Sequence, residues 1–176
     1  MTAFDRHIER WIVHHRAGWL NPVFEGLSRV GTLGLVWVAI ALGLAVAWRR
    51  WGLLLLTAAA VAVADGATRE LKSVIDVERP STRYARPEPL VPAPHDTTFP
   101  SGHAATSFAA ATILTAAIPR YAPLWFLLAL AIGFSRVYVG VHYPLDVVAG
   151  AAFGSAIALL LLAGVRLRSR ATMRSD

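Results

Sequence analysis

Three short stretches of this chain carry polar side chains that their apolar surroundings do not explain. They are Lys72 with Arg79-Pro80, then Pro100-Ser101-Gly102-His103, then Ser135-Arg136 with His142 and Asp146. Taken singly, each has a bland account. Lys72 and Arg79 suit cations that snorkel from a helix end, Ser101 suits an N-cap, and Asp146 suits a first helical turn behind Pro144. Taken together they suit phosphoryl chemistry. Lys72, Arg79 and Arg136 make a cationic cup, and the arginine fork matches phosphate oxygens. A helix that starts at Ser101 and Gly102 turns its first backbone N–H groups and its positive end toward that cup, which makes an anion site. His142 and Asp146 stand four residues apart, so the carboxylate can hold one ring nitrogen and leave the other to attack. His103 is then available to protonate the leaving oxygen. Spacing alone does not say which histidine attacks. The chemical rival is a metal site built from His103, His142 and Asp146, which three neighbouring cations disfavour.

The elements that position these residues are read from composition. The chain has 176 residues, is 56% hydrophobic and has a mean hydropathy of +0.51. A soluble domain runs roughly 45–50% apolar even with glycine counted. Five membrane helices of about 20 residues each account for the apolar content, so we expect a single all-α integral membrane domain over residues 1–176, a polytopic helix bundle. There is no cysteine, which excludes disulfides and thiolate metal sites. The net charge of +6 is almost wholly arginine, and in a membrane protein such charge reports topology and lipid headgroups; nucleic-acid binding is not expected. An Arg- and Ala-rich chain suggests a bacterial cytoplasmic membrane, and the N-terminus lacks the pattern of a cleavable signal peptide.

Residues 1–22 alternate Phe4, Ile8, Trp11, Ile12, Trp19 and Leu20 with Asp5, Arg6, Glu9, Arg10 and Arg16. This pattern predicts an amphipathic helix lying in the membrane interface. Spans are expected over 23–48, from 51 onward, and over 102–118, 124–137 and 144–165, with none broken in its middle. If the second span continues as a helix, Asp65, Arg69, Lys72, Asp76 and Arg79 share one face. The loop 81–99 holds four prolines and cannot be regular helix. The tail, 166–176, is polar and expected to fray. Counting alternate spans puts all three polar stretches on one membrane face.

In order and internal spacing, KSVIDVERP (72–80), PSGH (100–103) and SRVYVGVHYPLD (135–146) resemble the three-part signature of the type 2 phosphatidic acid phosphatase family. That family shares its core with vanadium haloperoxidases. The resemblance spans roughly residues 50–165; the front differs from six-span bacterial members, where an interfacial helix here replaces a span. It implies a metal-independent membrane phosphatase without cofactor. His142 would be the nucleophile that forms a phosphohistidine, Asp146 its orienting carboxylate and His103 the general acid. Lys72, Arg79, Ser101, Gly102 and Arg136 would bind the phosphoryl oxygens.

The expected substrate is a lipid phosphate or diphosphate, with phosphatidic acid, phosphatidylglycerol phosphate and a polyprenyl-phosphoryl sugar phosphate as alternatives. A polyprenyl diphosphate is favoured because Arg83 and Arg86 offer to hold a second phosphate. Anion transport is the rival of another class, and transporters place such residues near the midplane on broken helices. A vanadate-dependent peroxidase would share the pocket but does not suit a small membrane-embedded chain. Arg49, Arg50, Arg120 and the arginines at 166, 168, 170 and 174 share one face. The positive-inside tendency makes that face cytoplasmic, so the motif loops open outward.

Overall fold

The computed structural model describes the backbone of residues 1–175 and the side chains of residues 1–169. Its helices are α1 (Ala3–His14), α2 (Asn21–Val30), α3 (Leu35–Trp48), α4 (Trp51–Val74), α5 (Pro80–Arg83), α6 (Gly102–Ala117), α7 (Ala122–Tyr138) and α8 (Pro144–Ser175). Among the described residues three segments are long and apolar enough to cross a membrane: Trp51–Val74, Pro119–Tyr138 and Pro144–Ser169. A bent pair, Gly18–Val30 and Thr32–Trp48, which meet at 55°, makes a fourth when the two halves are counted as one span. The expected third span, α6, has 16 residues, or about 24 Å at 1.5 Å per residue, shorter than the hydrocarbon core.

Helix α6 is the hub, packed chiefly against α8 and then against α4 and α7. Its sequence explains why. Ala104, Ala105, Ala109, Ala110 and Ala111 are fully buried, and small side chains let neighbouring backbones approach closely. On α8 the matching residues are Gly150 and Gly154. A Cβ at Gly150 would lie 2.4 Å from the Ser101 carbonyl oxygen, and one at Gly154 would lie 2.0 Å from that of Ala105. The larger apolar residues of the core, Trp37, Ile113, Leu114 and Ile132, fill the space around this contact.

The structure differs from the sequence expectations at three further places. The first span is broken, where an unbroken one was expected: Thr32–Gly34 forms a single 3-10 turn with Leu33 at φ 54° and Gly34 at φ 67°. Glycine flanks the break because a Cβ at Gly31 would meet Ile132 Cγ2 at 2.5 Å and one at Gly34, already at positive φ, would meet Val61 Cγ1 at 2.6 Å. Helix α4 stops at Val74, so Asp76 and Arg79 do not extend its face. The polar tail does not fray at its start, since α8 continues through it to Ser175; Asp176 lies outside the described residues.

Helix α1 turns its polar stripe toward the protein. Asp5, Glu9 and Val13, spaced four apart, are buried, while Phe4, Trp11 and Trp19 are exposed. Asp5 Oδ1 accepts from Leu145 N at 2.8 Å, satisfying one of the open N–H groups at the start of α8. Following the helix, Arg16 donates to Tyr138 O at 2.7 Å and to Glu88 O at 2.9 Å. Arg10 donates to Arg86 O and stacks over the Tyr84 ring. The front of the chain therefore clamps both the proline-rich loop and the turn that leads into α8.

Candidate active site

Every polar stretch singled out in the sequence reaches one cavity of about 730 Å³, lined among others by Lys72, Arg79, Gly102, His103, Arg136 and His142. Asp65, Arg69 and Asp76 line it too, although the helix that carries the first two ends before the third. After α4 the chain leaves the helix, with Ile75 and Arg79 extended, and brings Asp76 and Arg79 back to the same wall.

His142 sits in the turn between α7 and α8, 2% exposed. Its Nδ1 lies 3.2 Å from Asp146 Oδ2 and 3.0 Å from Thr98 Oγ1. Thr98 donates its own proton to Asp146 Oδ2 at 2.5 Å, which leaves Thr98 Oγ1 and the carboxylate as acceptors. The proton between them and the ring therefore belongs to Nδ1. On the other side Arg79 Nη1 stands 3.3 Å from Nε2, and a donor in that place calls for a lone pair on Nε2. Burial, followed by the charge of Arg79, holds the ring well below the ordinary histidine range. The arrangement is a neutral imidazole with one nitrogen tethered and the other presented as a nucleophile.

Asp146 is fully buried in the first turn of α8. Its Oδ2 also accepts from Tyr143 N at 2.8 Å, and its backbone oxygen accepts from Ser101 N at 3.0 Å. That second bond ties the start of α6 to the start of α8. Ser101 Oγ is taken up as the cap of α6, accepting from Ala104 N at 3.5 Å; it does not line the cavity. Gly102 and His103 do, and their N–H groups are the first of the helix, with no intrahelical partner.

His103 Nε2 donates to the carbonyl oxygen of Ser28 at 3.1 Å. The hydroxyl of the same serine accepts from Arg136 Nη1, and buried Arg136 has no partner at Nε. Thus one residue of the bent first span orients both a cation and a histidine of the cavity. Arg79 is fixed by Val141 O at 2.8 Å, Asp96 O at 2.8 Å and Thr97 O at 3.1 Å. Asp96 pairs with Lys72 and with Arg79. Burial pushes this carboxylate up, but hydrogen bonds from Lys72 and Arg79 outweigh that and hold it below its usual range.

The structure brings together His103, His142, Asp146, Lys72, Arg79, Gly102 and Arg136, with Ser101 directly behind them. It separates Arg83 and Arg86 from them. Arg83 faces Glu78 at 3.7 Å, and neither arginine lines the cavity. Sequence reading missed Thr98, Asp96 and Ser28. In the sequence DTTFPSGH the first two stand just before the PSGH stretch, a polar run in a loop whose prolines, Arg83 and Arg86 drew the reading instead.

Comparison with known proteins gives the family of the chain. The chain is 31% identical over 164 residues to an undecaprenyl-diphosphatase of Sulfolobus acidocaldarius, covering 90% of this chain and 77% of that one. It is 32% identical over 147 residues to the bacitracin transport permease protein BcrC of Bacillus licheniformis, covering 81% and 70%. Among solved structures it resembles LpxE of Aquifex aeolicus, with a TM-score of 0.81 and 28% identity over 92% of this chain and 96% of that one. The model of the PAP2 superfamily matches residues 50–170, which takes in all three polar stretches. The chain therefore belongs to the PAP2 superfamily, and it is an integral membrane enzyme of the kind that acts on lipid phosphates and diphosphates.

Proposed function

We propose that the chain removes a terminal phosphoryl group from a polyprenyl diphosphate through a phosphohistidine on His142, without a metal. The observation that carries this reading is the pinned ring. Nδ1–H is shared by Asp146 and Thr98, while Nε2 faces the cationic side of the cavity.

In the first step the Nε2 lone pair attacks phosphorus and forms the N–P bond. The P–O bond to the leaving group breaks, and its electron pair stays on the leaving oxygen. His103 gives that oxygen a proton. Because its Nε2–H is held by Ser28 O, the proton transferred is the one on Nδ1; burial and the charge of Arg136 hold the ring of the free enzyme well below the ordinary histidine range, so His103 takes up that proton as the anionic phosphoryl group enters. Asp146 and Thr98 stabilise the positive charge that the substituted ring acquires. In the second step His103, now neutral, takes a proton from water as the water oxygen attacks phosphorus. The N–P bond breaks, its electrons return to Nε2, and inorganic phosphate leaves. Lys72, Arg79, Arg136 and the N–H groups of Gly102 and His103 supply the charge and hydrogen bonds that the equatorial oxygens need, the service a metal performs in other phosphatases. Ser101 holds the turn that aims those N–H groups.

The preference for a polyprenyl diphosphate is supported by the name of the Sulfolobus relative and no longer by Arg83 and Arg86. The site is proposed to open outward from a bacterial cytoplasmic membrane. In support, Arg50 and Arg120 gather at a second cavity with Trp48 and Pro119, between the α3–α4 turn and the α6–α7 turn.

The test is phosphate release by the purified protein in detergent. Undecaprenyl diphosphate, phosphatidic acid and phosphatidylglycerol phosphate are compared with and without chelator. Release from the diphosphate above the others, unaffected by chelator, is expected, with an acid-labile phosphoprotein trapped in the wild type and absent in His142→Ala. Activity lost on chelation and restored by a divalent ion would return the metal reading. No release from any lipid, with anion flux in vesicles, would favour the transport reading that the permease-named relative raises.

A further inference from the structure

Lys72 and Arg79 already hold an anion, and it is the chain's own. Asp96 Oδ2 accepts from Lys72 Nζ at 2.7 Å, and Asp96 Oδ1 accepts from Arg79 Nη2 at 2.6 Å. One group thus spans two cations with two oxygens, as two oxygens of a phosphoryl group do. The carboxylate side chain is 49% exposed at the cavity wall, whereas that of Arg79 is 2% exposed and that of Lys72 is 10% exposed. The cations are also tied to backbone oxygens that do not depend on the carboxylate: Arg79 to Val141, Asp96 and Thr97, and Lys72 to Thr97. In this pairing the cations are the fixed part and the carboxylate is the part that can leave.

We propose that Asp96 determines specificity: its carboxylate fills the phosphoryl seat of the free enzyme and yields it to terminal phosphoryl groups but not to phosphodiesters. The proposal rests on the reading of Lys72 and Arg79 as phosphoryl ligands. A phosphodiester brings one negative charge and two non-bridging oxygens, the same endowment as Asp96. Exchanging one for the other gains the cations nothing and costs the incoming group its freedom. A terminal phosphoryl brings about −1.5 to −2 charge and three acceptor oxygens, so the exchange is favourable and leaves a third oxygen for Arg136 or the start of α6. The distinction matters in a bilayer. Common phospholipids present a phosphodiester, at a local concentration far above that of any phosphatase substrate. A bare cationic cup would be crowded by them, and a cup with its own carboxylate is not.

The experiment compares the wild type with Asp96→Asn and Asp96→Glu, as full-length protein in mixed micelles. Hydrolysis of an aryl phosphate is measured while the mole fraction of phosphatidylglycerol is raised, and separately while inorganic phosphate is raised. The wild type is expected to tolerate phosphatidylglycerol. Asp96→Asn is expected to be inhibited at a mole fraction lower by about tenfold, the worth of one charged hydrogen bond, and to bind phosphate more tightly. Asp96→Glu is expected to restore the tolerance. If Asp96→Asn turns over too slowly to assay, the rise in its melting temperature with each lipid or with phosphate gives the same comparison. An Asp96→Asn protein no more sensitive to phosphatidylglycerol than the wild type overturns the proposal, as does weaker phosphate binding. Lys72→Gln separates the two levels of the argument. Unchanged phosphate binding in that variant would remove the reading of the cup itself. Lost binding there, with diester tolerance intact in Asp96→Asn, would remove only the role given to Asp96.

Discussion

Thr98 Oγ1 lies 2.5 Å from Asp146 Oδ2, joining the end of the proline-rich loop to the first turn of α8. The same hydroxyl stands 3.0 Å from His142 Nδ1, so it donates to the carboxylate and accepts from the ring. Thr98→Val keeps the volume and deletes both bonds. We expect kcat to fall by about tenfold to a hundredfold with KM little changed, the scale of losing hydrogen bonds to a charged pair. Thr98→Ser is expected to restore most of the rate. A serine variant as slow as the valine variant would show that the methyl group, and not the hydroxyl, is what the site requires.

For His103 the expected signature is dependence on the leaving group. His103→Gln is predicted to slow hydrolysis of a lipid monoester by about 10²–10⁴-fold, the usual worth of general acid catalysis. It is predicted to slow that of an aryl phosphate far less, because an acidic phenol leaves without help. Steady-state rates on the two substrates check this, and equal losses would count against the assignment. Arg136→Lys is a useful companion, since it loosens the partner that His103 shares at Ser28.

Glu9 gives a stability prediction. It is 1% exposed on the inner face of α1, with Oε2 unpartnered, and burial pushes its carboxyl from 4.5 up to about 7. The folded state therefore keeps a proton that the unfolded chain releases. Stability from this group is full below pH 4.5 and is lost as the pH rises through about 7. Glu9→Gln keeps the shape without the charge. Its melting temperature in detergent is expected to exceed that of the wild type at pH 8 and to match it near pH 4.5. A difference independent of pH would place the effect in packing.

Orientation can be read by labelling, since the chain has no cysteine. His95 in the proline-rich loop and Arg50 between α3 and α4 are both exposed. His95→Cys is expected to react with an impermeant maleimide on intact cells, and Arg50→Cys only after lysis. The reverse pattern would put the cavity in the cytoplasm.

The spans were legible because long apolar runs have few alternatives, and their ends fell near Trp48, Trp51 and Pro144 as composition suggests. The chemistry was legible because Lys72, Arg79, His103, Arg136, His142 and Asp146 are each costly in so apolar a chain. What was not legible depends on closure of the fold. Gly31 and Gly34 look like ordinary glycines of a membrane helix until Ile132 and Val61 arrive beside them. Thr98, Asp96 and Ser28 bond to residues 48, 24 or 17, and 75 or 108 positions away respectively, and no local spacing encodes such partners. The orientation of α1 was hidden for a related reason. Its amphipathic pattern was clear, but that its carboxylates face protein follows only from the open N–H of Leu145 and the clamp at Arg16.

Gly150 and Gly154 put α8 in backbone contact with the first turn of α6, and the bond from Ser101 N to Asp146 O locks the two together. Asp146, which orients the nucleophile, and the residues that begin the anion-binding helix therefore belong to one stiff body. Phosphorus changes from four substituents to five and back twice in each proposed turnover, and the stiff body cannot breathe with it. The opposite wall, from Ile75 to Phe99, has one helical turn and is tied back to this body by the bonds from Leu90 N to Val139 O, from Arg79 to Val141 O and from Thr98 to Asp146. The molecule is built like a vice whose jaws are pinned together through Arg79 and Thr98, and the half-exposed Asp96 carboxylate is the part left with room to swing.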